Sequence, residues 1–117
     1  ESYLNYFNDM NHESVYVRDY MKRINEYLIE EFHIDGFRFD LTKGMTNEVV
    51  AENYSSKRVN YLKSIADDIW DTYSDTYIIF EHFQNSEERA FSDYGIMTWG
   101  EENYQYKRGD YGISLRF

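Results

Sequence analysis

Apolar residues recur every three or four positions through Val17, Tyr20, Met21, Ile24, Tyr27, Leu28 and Phe32. That period is the stripe of an amphipathic helix. Asn11 to Ser14, just before it, supplies residues that cap helix N-termini. After the break His33-Ile34-Asp35-Gly36 the period changes to two: Phe37-Arg38-Phe39-Asp40-Leu41 alternates and is rich in strand formers. A loop from Thr42 to Ser56 follows, with one turn of helix expected around Glu48 to Ala51. The helical period then returns in Val59, Leu62, Ala66, Ile69, Trp70 and Tyr73, with Ser55 or Ser56 as cap. Asp75 marks a turn into a short apolar strand, Tyr77-Ile78-Ile79-Phe80-Glu81. Ser86-Glu87-Glu88 opens a short helix that Gly95 stops, and Ile96 to Trp99 reads as a third strand. The tail from Gly100 onward gives no clear period.

The order helix, strand, helix, strand, short helix, strand predicts βαβ crossovers and a parallel sheet with helices packed against it. Three strands alone leave two unpaired edges, so self-association through exposed sheet edges is expected of such a piece. The chain of 117 residues holds one core, not two.

Composition narrows the partners more than the fold. A formal charge of −10 argues against nucleic acid and against an anionic membrane, both of which attract basic surfaces. No apolar run is long enough to span a bilayer. With no cysteine there is neither a disulfide framework nor a thiolate metal site. Aromatic residues make up 20% of the chain, enough to fill a core or to stack on sugar rings. His12 and His33 are expected in surface polar roles, and Asp67-Asp68 on a solvated helix face.

Two strands carry residues that a buried sheet does not need. Alternation puts Arg38 and Asp40 on one face and Phe37 and Phe39 on the other. A charged pair inside a parallel sheet either forms a structural salt bridge or lines a polar cleft. Glu81 ends an otherwise apolar strand, and parallel α/β folds place ligands at C-terminal strand ends. Carboxylates ending neighbouring strands stand near the roughly 5–5.5 Å separation of a retaining glycosidase pair. A strand-end Glu facing solvent is the alternative.

Gly36-Phe37-Arg38-Phe39-Asp40-Leu41-Thr42-Lys43 resembles the second conserved region of the α-amylase family, glycoside hydrolase family 13. Tyr77 to Glu81 is similar to the third region, an apolar strand ending in the catalytic Glu. Asn11-His12-Glu13-Ser14, His33-Ile34-Asp35-Gly36 and Tyr94-Gly95-Ile96-Met97-Thr98-Trp99-Gly100 fit the connecting segments in order. The resemblance runs from about Asn11 to Tyr106. It implies strands four to six of an eight-stranded (β/α) TIM barrel, with residues 1–117 a fragment of that catalytic domain. A closed barrel needs about 250 residues.

By the same resemblance Asp40 is the nucleophile, Glu81 the general acid/base, and Arg38 the cation that keeps Asp40 ionised. Lys43 would contact a glucose unit, and His82 and Trp99 are further candidates for substrate contact. Alternation aims His82 away from the site, and Trp99 has packing as its alternative. The implied substrate is an α-1,4-glucan. A branching enzyme or transglycosylase shares the same carboxylates, and a non-catalytic glucan-binding homologue is the reading from another class.

Departures from the family pattern matter too. No His-Asp pair exists in the chain to supply the family's third catalytic Asp, so the isolated chain is expected to be inactive. Gly44 stands where many amylases carry a His near calcium. No cofactor is required, and calcium is an expectation only for the full-length enzyme. Localisation is open on the sequence, with a bacterial extracytoplasmic or secreted setting as the family-based expectation.

Overall fold

A computed structural model describes residues 10–47 and 53–99. The order is α1 (Val15–Phe32), β1 (Gly36–Phe39), a 3-10 turn (Thr42–Gly44), α2 (Ser56–Trp70), β2 (Tyr77–Glu81), α3 (Asn85–Ser92) and β3 (Met97–Trp99). The strands form one parallel sheet in the order β1-β2-β3. This is the layered α/β arrangement of an arc of a (β/α) barrel. The turn of helix expected around Glu48 to Ala51 and the tail from Gly100 lie outside the described residues.

The sheet has two unlike faces because side chains alternate along each strand. Phe39, Ile78 and Phe80 point into the core, where Val59, Leu62, Ile65, Ala66 and Ile69 of α2 and Phe91 of α3 cover them. Phe80 stands at the centre, edge-on to Phe39 at 5.8 Å and to Phe91 at 5.3 Å between ring centroids. The opposite face carries Arg38, Tyr77, Ile79, Glu81, Met97 and Trp99, and among the described residues nothing packs over it. Tyr77 and Trp99 are more than half exposed there.

Local chemistry explains the element ends. Ser55 caps α2, its hydroxyl accepting from the Arg58 N–H at 3.1 Å, so of the two expected caps Ser55 is the one used. Gly36 opens β1 opposite Tyr77, where an added Cβ would come within 2.6 Å of the Tyr77 carbonyl oxygen and 2.7 Å of its Cβ. No side chain fits there without moving backbone. Gly95 turns the chain from α3 into β3 at φ 97, a conformation glycine adopts freely.

Three expectations are corrected. The stripe predicted for α1 is not its buried line: Tyr20, Tyr27 and Phe32 are exposed. The helix leans on the rest through Met21 and Ile29, with Asn25 buried between them. β1 ends at Phe39, short of Leu41, because Leu41 takes a left-handed conformation (φ 46, ψ 47) that no strand continues. His12 is buried against Tyr61, with the rings edge-on at 6.0 Å, and is no surface residue.

Candidate active site

The register aligns Phe39 with Phe80, so Asp40 and Glu81 each stand one step further along. β3 brings Trp99 level with Glu81. Asp40, Glu81 and Trp99 therefore meet at the C-terminal edge of the sheet, on its open face, and Arg38 reaches them from one pleat below. A single guanidinium nitrogen of Arg38, Nη2, lies 3.1 Å from Asp40 Oδ1 and 2.7 Å from Glu81 Oε1. The Arg38 guanidinium also stands over the Trp99 ring, 5.0 Å from its centroid, a cation–π contact that fixes the cation between the carboxyls.

The two acids have different surroundings. The Asp40 side chain is 76% exposed and that of Glu81 17%. The Asp40 carboxyl is held below its usual range, first by hydrogen bonding with the Glu81 side chain; desolvation works the other way, and the charge and hydrogen bond of Arg38 add to the lowering. The Arg38 charge favours the ionised form of Asp40, the exposed acid, while Glu81 stands largely sheltered beside it.

Backbone conformation contributes as well. The left-handed turn at Leu41 aims its N–H at Glu81 Oε2, 3.3 Å away. Phe83, two residues past Glu81, is also left-handed, at φ 57. Non-glycine residues rarely adopt this region, and where they do the surrounding structure holds them there. Both carboxyl-bearing segments leave the sheet through such a residue.

The structure sorts the other candidates. Lys43 sits half-buried in the 3-10 turn directly after Leu41 and Thr42, with no ion pair among the described residues. Trp99 presents an exposed ring beside Arg38 and Glu81. His82 is corrected: it is fully buried on the helix-facing side of the sheet. Both of its ring nitrogens are engaged, Nδ1 at 2.9 Å from Thr42 Oγ1 and Nε2 at 2.7 Å from Glu87 Oε2. It has no route to a sugar on the open face, as strand alternation requires.

Sequence reasoning missed the cluster that His82 joins. Glu87, in the first turn of α3, accepts from Arg58 Nε at 2.9 Å, Arg58 Nη2 at 2.5 Å and the Ser55 N–H at 2.7 Å. Arg58 and Glu87 are both fully buried. Burial alone would push the Glu87 carboxyl up, but His82, Arg58 and the Ser55 N–H outweigh it and bring it down from 4.5 to about 2. The spacing marks only the face of each charge: Arg58 precedes Leu62, and Glu87 precedes Phe91, by one helical turn, and neither reveals its partner.

No group of three His, Cys, Asp or Glu side chains among the described residues is placed to hold a metal ion. Gly44 adds no side-chain donor in the 3-10 turn. No helix among the described residues is long and apolar enough to cross a membrane.

A parallel α/β sheet with a cation-bridged pair of carboxyls at its C-terminal edge has the architecture of a barrel glycosidase site. The family model of the alpha-amylase catalytic domain matches residues 1–111, and the chain belongs to that family of glycoside hydrolases. No individual curated protein matches it.

Proposed function

We propose that this chain carries the reacting carboxyl pair of a retaining α-glucan hydrolase acting on α-1,4-glucosidic bonds, with Asp40 as nucleophile and Glu81 as general acid/base. The observation that supports this reading is the bridge from Arg38 to both acids at the ends of adjacent parallel strands. Glu81 gives its proton to the glycosidic oxygen while Asp40 attacks the anomeric carbon; the bond to the leaving sugar breaks and a glycosyl ester forms on Asp40. Glu81, now ionised, takes a proton from water as the water oxygen displaces Asp40. The sugar must fit between the two carboxyls, which a working pair holds roughly 5–5.5 Å apart. In this scheme Trp99 stacks on a glucose ring and Lys43 contacts one on the leaving-group side.

The chain alone is inactive in this proposal, because it contains no His-Asp pair to supply a third carboxylate. Reducing-end release from soluble starch tests it, with the chain alone and with a closed barrel containing it. The chain alone should release none. The barrel should be active and lose about 10²–10⁴-fold in kcat on Glu81→Gln. Unchanged turnover in Asp40→Asn would overturn the assignment. Activity of the chain alone, abolished by Glu81→Gln, would show the third carboxylate to be dispensable.

A further inference from the structure

Directly beneath the carboxyl pair lies a run of buried polar side chains that the proposed reaction does not use. Thr42 follows Asp40 by two residues and His82 follows Glu81 by one. Thr42 Oγ1 lies 2.9 Å from His82 Nδ1 and 3.4 Å from the Glu81 carbonyl oxygen. Through these contacts the turn after β1 is tied to the end of β2 by side chains, beyond the last backbone pairing. His82 Nε2 continues to Glu87, which is held in turn by Arg58 and the Ser55 N–H. Thr42, His82, Glu87 and Arg58 have no exposed surface at all.

Packing does not require this arrangement. Apolar residues of similar volume commonly replace buried ionic clusters without loss of stability. Hydrogen bonds, unlike apolar contacts, fix direction as well as distance. The imidazole is held from both sides, by Glu87 at Nε2 and by the Thr42 hydroxyl at Nδ1. The anchored hydroxyl belongs to the residue directly after Leu41, whose left-handed backbone must be held from outside to persist. Leu41 in turn gives its N–H to Glu81.

We propose that Thr42 and His82 are positioning residues, anchored through Glu87 to Arg58, which lock the Asp40 turn onto the end of β2 and so set the spacing of the two carboxyls. Neither touches the reacting atoms. Their part is to hold Leu41 in its left-handed turn and to keep Asp40 level with Glu81.

The inference rests on Asp40 and Glu81 being the reacting pair, but its test needs no turnover. Carbon-13 NMR titration of the Asp40 carboxyl is carried out on the 117-residue chain, on Thr42→Val and on Thr42→Ser. Thr42→Val should move the Asp40 midpoint up towards the ordinary carboxyl value, because contact with the Glu81 side chain is the leading cause of its lowering. Thr42→Ser, which keeps the hydroxyl, should restore the low midpoint. An unchanged midpoint in a folded Thr42→Val chain overturns the proposal. Should that variant not fold, nitrogen-15 shifts of His82 in the unaltered chain and in Thr42→Ser decide: Nδ1 must report a hydrogen bond to the residue 42 hydroxyl, and an Nδ1 without one overturns the proposal. A failed starch assay would remove the hydrolase reading and leave these shifts untouched, so the two failures are distinguishable.

Discussion

Replacing Glu87 with glutamine probes the buried charge cluster with almost no change in shape. In the native chain the Glu87 carboxylate accepts four hydrogen bonds, from Ser55 N–H, Arg58 Nε, Arg58 Nη2 and His82 Nε2. Glutamine offers one acceptor oxygen and turns an NH₂ donor towards donors. The guanidinium of Arg58 loses its counter-charge inside the core. Breaking a buried ion pair from one side costs about 3–5 kcal/mol, a large share of the roughly 5–15 kcal/mol that holds a domain folded.

The pH dependence gives an independent magnitude. A carboxyl that titrates near 2 in the fold and near 4.5 when unfolded contributes about 3 kcal/mol of stability above pH 4.5. That contribution is lost progressively as pH falls from 4.5 towards 2, because the folded value is the depressed one. Urea unfolding of both chains, followed by circular dichroism between pH 7 and pH 2.5, measures both effects. Glu87→Gln should be less stable at pH 7, and the gap to the native chain should narrow as the pH drops. A variant within about 0.5 kcal/mol of the native chain at pH 7, or a gap constant with pH, would refute the reasoning.

Further expectations follow from other parts of the molecule. Glu88 has the opposite sign to its neighbour: burial pushes its carboxyl up, His82 works the other way, and its Oε1 is buried without a hydrogen-bond partner among the described residues. Its ionised form therefore weakens the fold as pH rises through the carboxyl range, and Glu88→Gln should raise the melting temperature at pH 7 more than at pH 4. Gly36→Ala should destabilise by about 1–3 kcal/mol, the usual cost of overpacking, seen as a lower urea midpoint. Arg38→Gln should move the Asp40 NMR midpoint upward, because the charge and the hydrogen bond it loses both lower that carboxyl.

The sheet was readable because two periods compete cleanly in this chain. Phe37 and Phe39 alternate with Arg38 and Asp40, and the structure puts the aromatic pair inward and Arg38 on the open face. The apolar run ending in Glu81 likewise became the central strand with its acid at the edge. Two kinds of feature were not readable. The left-handed turn at Leu41 has no sequence marker, since leucine is no turn residue, and tertiary hydrogen bonds impose it. The Arg58–Glu87 pair went unmarked, because one helix cannot reveal that a neighbouring helix brings the opposite charge to the same buried point. His82 was placed correctly by alternation and wrongly by its nearness to Glu81 in sequence.

The close approach of Gly36 to Tyr77 reaches further than its own corner. Pairing that slips by two residues keeps every side chain on its proper face, so facing alone cannot forbid it. Such a slip would displace Glu81 along the strand by roughly 6.6 Å and carry it out of reach of both Arg38 and Asp40. It would also set a residue with a Cβ where only glycine fits opposite Tyr77. The glycine at the far end of the ladder thus acts as a vernier stop, and the alignment of the two carboxyls is decided four residues before either strand reaches them.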